Sequence, residues 1–288
     1  MTNLSKETIT QEVDRQIKIA GSQNQLARQL GISASHLINI RNGNFDLVSE
    51  TMVRKVVSQL KMNLFQGWQM ADIRNYTRIL NICHHAKENS ISRAIAFAPG
   101  TGKTYTLKSF SVNLSNVYYV ECEEYWTKKV FLSELRKVMG IDDGPMSIAD
   151  QVDAIVEFLN QQKRPLVLID EADKLKDSVL NLYKTMYNKA SSGFVLAGTP
   201  YFKHRIDKGV RLNRMGFAEI FSRIGGEFVS LYPINSEDIT KICQVNGVQD
   251  TIDIQEIINE SKADLRRVKA LVEKVHLRNS KRDENNKS

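Results

Sequence analysis

The sequence contains little cysteine, with three residues among 288. Cys83, Cys122 and Cys243 lie far apart, form no CxxC pair and have no histidine at a zinc-ligand spacing. This distribution argues against a disulfide framework and against a structural zinc site.

Long apolar runs are also missing. No stretch reaches about 18 uninterrupted apolar residues, which a membrane-spanning helix requires. Residues 1–7 lack the apolar core of a signal peptide. We therefore expect a cytoplasmic protein with no membrane partner. The chain shows no internal repeat.

The charge balance is basic. Lys and Arg number 40 against 33 Asp and Glu, which gives a formal net charge of +7. This excess favours polyanionic partners, although an ordinary basic cytosolic protein fits the charge equally well. The length is sufficient for two domains that each bury a core.

The pattern of apolar residues changes along the chain. Residues 1–63 have helical spacing and predict a compact helical module, and residues 64–90 predict a linker and a helix leading into the next segment. Residues 91–233 alternate strands with helices, which is typical of a mostly parallel sheet covered by helices. A helical segment follows at 234–279, and the polar residues 280–288 are expected to be disordered. The predicted strands are 93–98, 116–121, 166–170, 193–198 and 227–232, and the predicted helices between them include 103–110, 128–139, 148–161 and 178–190.

A phosphate-binding loop is predicted between the first strand and the helix after it. Glycines allow backbone N–H groups to approach phosphate oxygens, the lysine faces the β and γ charges, and the hydroxyl binds Mg²⁺. The helix N-terminus adds its dipole. The usual GxxxxGK[ST] pattern begins with glycine where this chain has Phe97, so we expect altered geometry at the start of the loop. The predicted ATP-binding residues are Pro99, Gly100, Thr101, Gly102, Lys103 and Thr104.

A second motif supports the first. Residues 166–171 form an apolar strand that ends in two acids. In this arrangement Asp170 holds Mg²⁺ together with Thr104, and Glu171 orients or activates the attacking water. Two such linked motifs rarely arise by accident, so together they predict an ATPase.

With these motifs the chain resembles the AAA+ ATPases, which implies an α/β fold with a parallel sheet and a small helical lid. The segment DEADKL at 170–175 is most similar to the transposition ATPases typified by the phage Mu B protein, which are related to the TnsC and IstB families. The resemblance spans nearly the whole chain. It implies that the partners are double-stranded DNA, further copies of this chain and a DDE-family transposase.

The resemblance also implies roles for three further residues. Thr199 occupies the place of sensor 1, which reads the γ-phosphate, although asparagine is commoner there. Arg223, within FSRI, is similar to the arginine that completes a neighbouring subunit's site, and Arg214 is the alternative. Arg266, within ADLRR, resembles the ATP-binding sensor 2 of the lid, with Asp264 in place of a small residue. Without the resemblance, these residues fit a turn, a surface ion pair and a solvated helix face.

Residues 23–43 resemble the helix-turn-helix of lambda-type repressors, which implies an all-α DNA-binding domain before the ATPase. Ala27 allows two helices to cross closely, Gly31 allows the turn, and Ser33 suits the cap of the next helix. The predicted core residues are Leu26, Leu30, Ile32, Leu37 and Ile40. The residues expected to reach DNA are Ser35, His36, Asn39 and Arg41. Only Asn39 suits a bidentate base contact, so weakly specific binding is predicted, and protein contacts are the alternative use.

Lys128 and Lys129 follow the second predicted strand. Related ATPases line the channel around DNA at this place, which makes both lysines candidates for phosphate contacts. A solvated helix face is the alternative interpretation.

These predictions combine into a functional hypothesis. ATP favours an oligomer or filament on target DNA, the oligomer recruits and stimulates a transposase, and hydrolysis dissolves it. One alternative is a helicase loader of the DnaC- or IstB-like kind, although no helicase-binding extension is evident. Another is a transcription regulator that only senses nucleotide, which the departure at Phe97 favours.

Overall fold

A computed structural model describes residues 6–49, 52–53, 56, 68–69, 71–141 and 144–285. The chain divides into two compact units, Met1–Gln69 and Met70–Ser288. This division places the helix predicted before residue 90 with the sheet that follows it. Most of the predicted linker, residues 64–67 and 70, lies outside the described residues.

The first unit is helical. Its described helices are α1 (Lys6–Ala20), α2 (Gln23–Gln29) and α3 (Ala34–Arg41), followed by a 3₁₀ turn at Phe45–Leu47. The Ser22 and Ser33 hydroxyls cap α2 and α3 by accepting backbone N–H groups, each at 3.2 Å. The predicted capping role of Ser33 is confirmed.

The core of this unit agrees with the sequence pattern. Leu26, Leu30, Leu37 and Ile40 are buried, and Ile32 packs against them while partly buried. Helix α1 contributes further apolar side chains that the helix-turn-helix resemblance does not include, among them Ile9 and Val13.

The second unit contains alternating helices and strands, followed by three helices. Its elements are α4 (Arg74–Asn89), β1 (Ser92–Ala96), α5 (Lys103–Asn113), β2 (Val117–Glu121), α6 (Lys128–Met139), α7 (Ile148–Gln161), β3 (Leu166–Asp170), α8 (Asp177–Lys189), β4 (Gly193–Gly198), α9 (Pro200–Arg211), α10 (Phe217–Arg223), β5 (Phe228–Val229), α11 (Ser236–Val245), α12 (Thr251–Ser261) and α13 (Leu265–Asn285). A 3₁₀ turn at Ala172–Lys174 follows β3.

The strands form a parallel sheet in the order β2-β3-β4-β1-β5. Because parallel strands all end at the same edge, the segments after β3, β4 and β1 emerge side by side. This order brings together three parts of the chain that are far apart in sequence. The predicted parallel α/β sheet is confirmed.

Both faces of the sheet are covered. On one face α4 and α5 pack against alternate strand residues such as Ile95 and Leu168. On the other face α6 to α10 pack against the intervening residues, such as Val167 and Leu196. All five residues of β3 are buried, as expected for a central parallel strand.

Strand β5 is shorter than predicted. Only Phe228 and Val229 pair with β1, whereas the sequence pattern predicts a strand over 227–232. Further along, the Tyr232 backbone bonds the side chain of Asn75 on α4, with its N–H donating to Oδ1 and its C=O accepting from Nδ2, both at 2.8 Å. An asparagine side chain thus satisfies backbone groups that a longer strand would have paired.

Helix α13 extends through residues 280–285, which the sequence analysis expected to be disordered. Lys, Arg and Glu are good helix formers, and solvated charges do not oppose a helix that has already been started by packed residues. Residues 286–288 lie outside the described part. None of the described helices is both long and apolar enough to cross a membrane.

Candidate active site

The phosphate loop follows β1 and ends at α5. Gly100 has φ +74° and Gly102 has φ +90°, a left-handed backbone that favours glycine. The Thr101 hydroxyl is buried and donates to the Ala98 carbonyl at 2.9 Å, which closes the turn. Pro99 is exposed within the loop.

Phe97 lies at the start of the loop, where the usual pattern has glycine. Its N–H donates to the Gly198 carbonyl at 3.2 Å, so the backbone continues alongside β4. The side chain packs against the apolar layer beneath α4 and α5. The residue does not have the positive φ that would require glycine. Phe97 therefore continues the hydrogen bonding with β4 one residue beyond β1.

Lys103 begins α5 and is 8% exposed. Its Nζ donates to the Phe97 and Ala98 carbonyls, both at 2.8 Å. Burial lowers the pKa of Lys103, and the negative charges of Asp170 and Glu171 act in the opposite direction. Phosphate oxygens would offer this ammonium stronger, charged acceptors than carbonyls.

Asp170 ends β3 and is 1% exposed. Its Oδ1 accepts the Glu171 N–H at 2.9 Å, its Oδ2 accepts the Tyr119 hydroxyl at 3.0 Å, and the Thr104 side chain forms a further hydrogen bond with the carboxylate. Burial raises the pKa of Asp170, while these three hydrogen bonds lower it. The contact between Thr104 and Asp170 brings the two predicted metal-binding residues together.

The oxygen donors at this place fit Mg²⁺. Thr104 supplies a hydroxyl and Asp170 a carboxylate, both suited to a hard cation. Among the described residues no group of three His, Cys, Asp or Glu side chains could hold a metal ion. Mg²⁺ at nucleotide sites is commonly held by one or two such protein groups together with substrate phosphates.

Glu171 follows Asp170 with φ +54°, a left-handed conformation that is strained for a residue other than glycine. The conformation turns the chain sharply out of β3. Burial, followed by the neighbouring charge of Asp170, raises the pKa of Glu171. A carboxylate with a raised pKa is a stronger base and is suited to orienting or deprotonating water.

Asp173 joins the ends of two neighbouring strands. Thr199, directly after β4, donates its N–H at 3.2 Å and its hydroxyl at 2.8 Å to the Asp173 carboxylate. A Cβ on Gly198 would lie 2.7 Å from Asp173 Oδ1, so the close approach requires glycine there. Thr199 lies at the predicted edge of the sheet, with its hydroxyl proton directed to Asp173. Asp173 has no role predicted from the sequence, although it belongs to the DEADKL segment.

Arg205 on α9 holds the same loop. Its Nη1 donates to the Asp173 carbonyl at 3.2 Å and to the Leu175 carbonyl at 2.6 Å, and the guanidinium forms an ion pair with Asp177. The Arg205 side chain is largely buried. No sequence motif singled out this arginine.

The lid reaches the phosphate loop. The Leu265 N–H donates to the Gly100 carbonyl at 2.8 Å, and a Cβ on Gly100 would lie 2.3 Å from Asp264 Oδ1. The same Asp264 oxygen accepts the Arg266 N–H at 2.8 Å at the start of α13. The positive charge of Arg266 contributes to lowering the pKa of Lys103, which places the predicted lid arginine within electrostatic reach of the loop.

Both candidate trans-acting arginines have partners within the second unit. Arg223 ends α10, with Nε donating to Asn188 Oδ1 at 2.6 Å and Nη1 donating to the Glu219 carbonyl at 3.1 Å. Arg214 is exposed and its guanidinium lies 5.6 Å from the centre of the Phe217 ring.

The predicted DNA-facing residues of the first unit differ in exposure and in their side-chain partners. Ser35 is exposed, whereas His36 and Asn39 are half-buried. Arg41 forms an ion pair with Asp14 of α1, with Nε to Oδ1 at 2.6 Å. The structure also exposes 41% of Ile38, which the sequence analysis did not include among these residues.

Lys128 and Lys129 lie in the first turn of α6, in the second unit. Lys128 is half-buried and Lys129 is exposed. The preceding segment exposes Tyr125 and buries Trp126. Because this segment follows β2, both lysines lie on the side of the sheet where the strands end.

Comparison with known proteins shows similarity to AAA domains. The AAA domain family matches residues 96–206, which contain Lys103, Asp170 and Thr199. The chain is 22% identical over 261 residues to the Mu-like prophage FluMu DNA transposition protein B of Haemophilus influenzae, covering 85% of this chain and 88% of that protein. It is 26% identical over 248 residues to the ATP-dependent target DNA activator B of Escherichia phage Mu and to that of phage D108, covering 83% of this chain and 78% of each relative.

Two solved structures show weaker likeness. One is Drosophila ORC bound to DNA, with a TM-score of 0.45 and 15% identity over 72% of this chain and 57% of that chain. The other is NtrX from Brucella abortus, with a TM-score of 0.46 and 13% identity over 84% of this chain and 58% of that chain. The chain thus spans less than two thirds of the length of either structure.

Proposed function

Because the chain is an AAA+ ATPase related to the phage Mu B protein, we propose that it assembles on target DNA when ATP is bound, recruits and stimulates a DDE transposase, and disassembles after hydrolysis. The observation that carries the ATP-dependent part is the convergence of Lys103, Thr104, Asp170 and Glu171 at one edge of the sheet. The relatives named ATP-dependent target DNA activators support the role in transposition.

The chain's own groups have distinct tasks at the nucleotide. The N–H groups of the loop around Gly100 and Gly102 bind phosphate oxygens, and Lys103 exchanges its carbonyl partners for them. Thr104 and Asp170 would hold Mg²⁺, which when bound neutralises charge on the β- and γ-phosphates. Glu171 orients the attacking water and accepts its proton.

Hydrolysis is expected to depend on assembly. In this proposal Arg223 of one copy stabilises charge at the γ-phosphate of another copy, and Arg214 is the alternative. Support comes from the acidic side chains around Lys103, which include Asp170, Glu171 and Asp173. Their negative charge opposes the charge that develops on the phosphate, so an additional positive group would stabilise phosphoryl transfer. Thr199, directly after β4, and Arg266, in the lid, contact the bound nucleotide.

DNA binding is assigned to two regions. In the first unit, the helix-turn-helix offers Ser35, His36 and Asn39 at α3, and weakly specific contact is proposed. Arg41 contributes only after leaving its ion pair with Asp14. In the second unit, Lys128 and Lys129 bind DNA phosphates. The net charge of +7 supports a polyanionic partner.

Electron microscopy of the full chain with duplex DNA tests this proposal. We expect ordered assemblies with ATP, none with ADP, and persistent assemblies with the Glu171→Gln variant in ATP. The absence of an ordered assembly in every nucleotide state would refute the proposal. Persistence of the variant assembly, with loss of the wild-type assembly as ATP is consumed, would support disassembly through hydrolysis.

The alternative of a nucleotide-sensing regulator had some support from Phe97. The Phe97 N–H bonds the Gly198 carbonyl of β4, and the residue has no positive φ that would require glycine. Specific DNA footprints that require no ATP would favour this alternative.

A further inference from the structure

Tyr119 on β2 contacts the acidic residue that ends the neighbouring strand. In the parallel pairing of β2 with β3, Tyr119 is opposite Leu168 and Glu121 is opposite Asp170. The Tyr119 hydroxyl lies 3.0 Å from Asp170 Oδ2 and 3.4 Å from Glu121 Oε2. Tyr119 is 6% exposed, so bulk water competes little for its hydroxyl.

The single phenolic proton faces two carboxylates, and the contacts favour Asp170 as its acceptor. Glu121 already has a charged partner, because Lys108 Nζ lies 2.5 Å from its Oε2. The same ammonium lies 5.5 Å from the centre of the Tyr119 ring. With Glu121 paired and Asp170 closer, the hydroxyl donates to Asp170 Oδ2.

Helix α5 contacts the same group from the phosphate-loop side. Thr104 and Lys108 lie about one turn apart on α5. Thr104 bonds Asp170, and Lys108 pairs with Glu121. The other Asp170 oxygen accepts the Glu171 N–H. Each carboxylate oxygen therefore has a protein donor, and these donors determine the orientation of the carboxylate.

We propose that Tyr119 is a positioning residue for Asp170. The Tyr119 hydroxyl holds one oxygen of the Asp170 carboxylate and thereby fixes the orientation in which that carboxylate would bind the Mg²⁺ that accompanies ATP. The inference rests on the metal site of the proposed function. Partners that orient a metal ligand commonly change metal affinity by about 10- to 100-fold. The Tyr119 hydroxyl is such a partner although it does not itself bind the metal.

The test measures binding of a fluorescent ATP analogue to the full chain, first in EDTA and then across a Mg²⁺ titration. Tyr119→Phe removes only the hydroxyl. We expect the midpoint of the Mg²⁺ response to rise about tenfold. Affinity in EDTA should stay within about twofold of wild type, because the hydroxyl acts only on the metal ligand.

Tyr118→Phe is the matched control. Tyr118 is the preceding residue on β2, and its ring packs on the opposite face, 5.5 Å from the Phe158 ring centre. The same atom is removed from the same strand without contact to Asp170. We expect neither the EDTA affinity nor the Mg²⁺ midpoint to change.

Glu121→Gln tests whether the Mg²⁺ midpoint shifts because the hydrogen bond from Tyr119 to Asp170 is lost or because β2 is disturbed in general. It removes the carboxylate paired with Lys108 but leaves the Tyr119 hydroxyl with Asp170. A shift smaller than that of Tyr119→Phe supports the proposal, and an equal shift overturns it.

Two further outcomes are informative. If Tyr119→Phe has a wild-type Mg²⁺ midpoint, or loses affinity equally in EDTA and in Mg²⁺, the positioning role is wrong. If the wild-type protein binds the analogue but shows no response to Mg²⁺, the metal site of the proposed function fails as well. The wild-type titration therefore distinguishes the two failures.

Discussion

The edge of the sheet in the second unit and the face of α3 in the first unit hold their polar groups in different ways. At the sheet edge, Lys103 and Asp170 are buried and have several hydrogen-bond partners each. On α3, Ser35 is exposed and Asn39 is half-buried. Phosphoryl transfer requires oriented charges away from water, whereas a DNA contact requires side chains that a second molecule can reach. Substitutions of groups that act on the nucleotide should therefore have large effects, and substitutions of exposed residues that contact DNA should have small ones.

The largest expected effect concerns the trans-acting arginine. Arg223→Ala should lower the rate of assembly-stimulated ATP hydrolysis by about 1000-fold, because positive charge at the γ-phosphate is lost. Nucleotide affinity should stay within about threefold of wild type, since Arg223 is not part of its own phosphate loop. Steady-state hydrolysis with DNA and equilibrium nucleotide binding measure the two quantities.

Arg214→Ala and Asn188→Ala are the controls for this prediction. Asn188 is the hydrogen-bond partner of Arg223, so its substitution reproduces the structural loss without removing the charge. Loss of hydrolysis in Arg214→Ala with retention in Arg223→Ala would transfer the role to Arg214.

The second effect concerns the phosphate-loop lysine. Lys103→Ala should weaken ATP binding by about 100-fold, or roughly 2.7 kcal/mol, because the charged donor to phosphate is removed. Lys129→Ala removes an exposed lysine and should leave ATP affinity unchanged. Calorimetric titration with ATP measures the affinity of both variants. Equal ATP affinities for Lys103→Ala and Lys129→Ala would show that Lys103 does not bind the nucleotide.

The third effect compares two glycines that have nearly the same backbone. Gly100→Ala and Gly140→Ala both place a side chain at positive φ, +74° and +72° respectively. Only the Gly100 Cβ meets another group, Asp264 of the lid, because nothing lies within 4 Å of a Cβ on Gly140. Both variants should lose about 1 kcal/mol of stability from backbone strain. Gly100→Ala alone should also weaken nucleotide binding, by about tenfold, as the lid is displaced.

Thermal melting and nucleotide titration separate these contributions. Unchanged nucleotide binding in Gly100→Ala would mean that the contact between the lid and the loop does not contribute to the site.

The smallest effect concerns exposed charge. Lys129→Ala should reduce the salt dependence of DNA binding by about one unit in the logarithmic slope, as expected for the loss of one phosphate contact. Lys189→Ala is the control, because Lys189 ends α8 at the opposite edge of the sheet and is exposed. Fluorescence anisotropy at several salt concentrations measures the slope, and equal slopes for wild type and Lys129→Ala would exclude this lysine from the interface.

The sequence predicts strand β3 and helices α6 and α7 with the bounds found in the structure. These elements have strong apolar patterns, and their ends carry local signals, such as the Thr127 hydroxyl that caps α6 and the Ser147 hydroxyl that caps α7. Sequence reasoning was wrong about the length of β5 and about residues 280–285. The length of β5 depends on which groups its backbone pairs with, and the helix at 280–285 depends on propagation from packed residues before it. Neither is encoded in a short sequence pattern.

Lys103, Thr104, Asp170 and Glu171 could be found from the sequence because each belongs to a short motif whose chemistry requires those residue types. Asp173, Arg205 and Tyr119 could not be assigned in this way. Their roles depend on partners 26 to 51 residues away along the chain, as in the bonds from Thr199 to Asp173 and from Tyr119 to Asp170.

The sequence by itself determined the local conditions of the site: glycines where the backbone must be left-handed, an apolar strand that ends in acids, and a lysine and a hydroxyl at the start of a helix. The tertiary structure decided which of these groups meet. The strand order places β4 between β1 and β3, and the lid brings Leu265 to Gly100. Backbone conformation is set largely by neighbouring residues, whereas hydrogen bonds between distant side chains exist only after the sheet has assembled and excluded water.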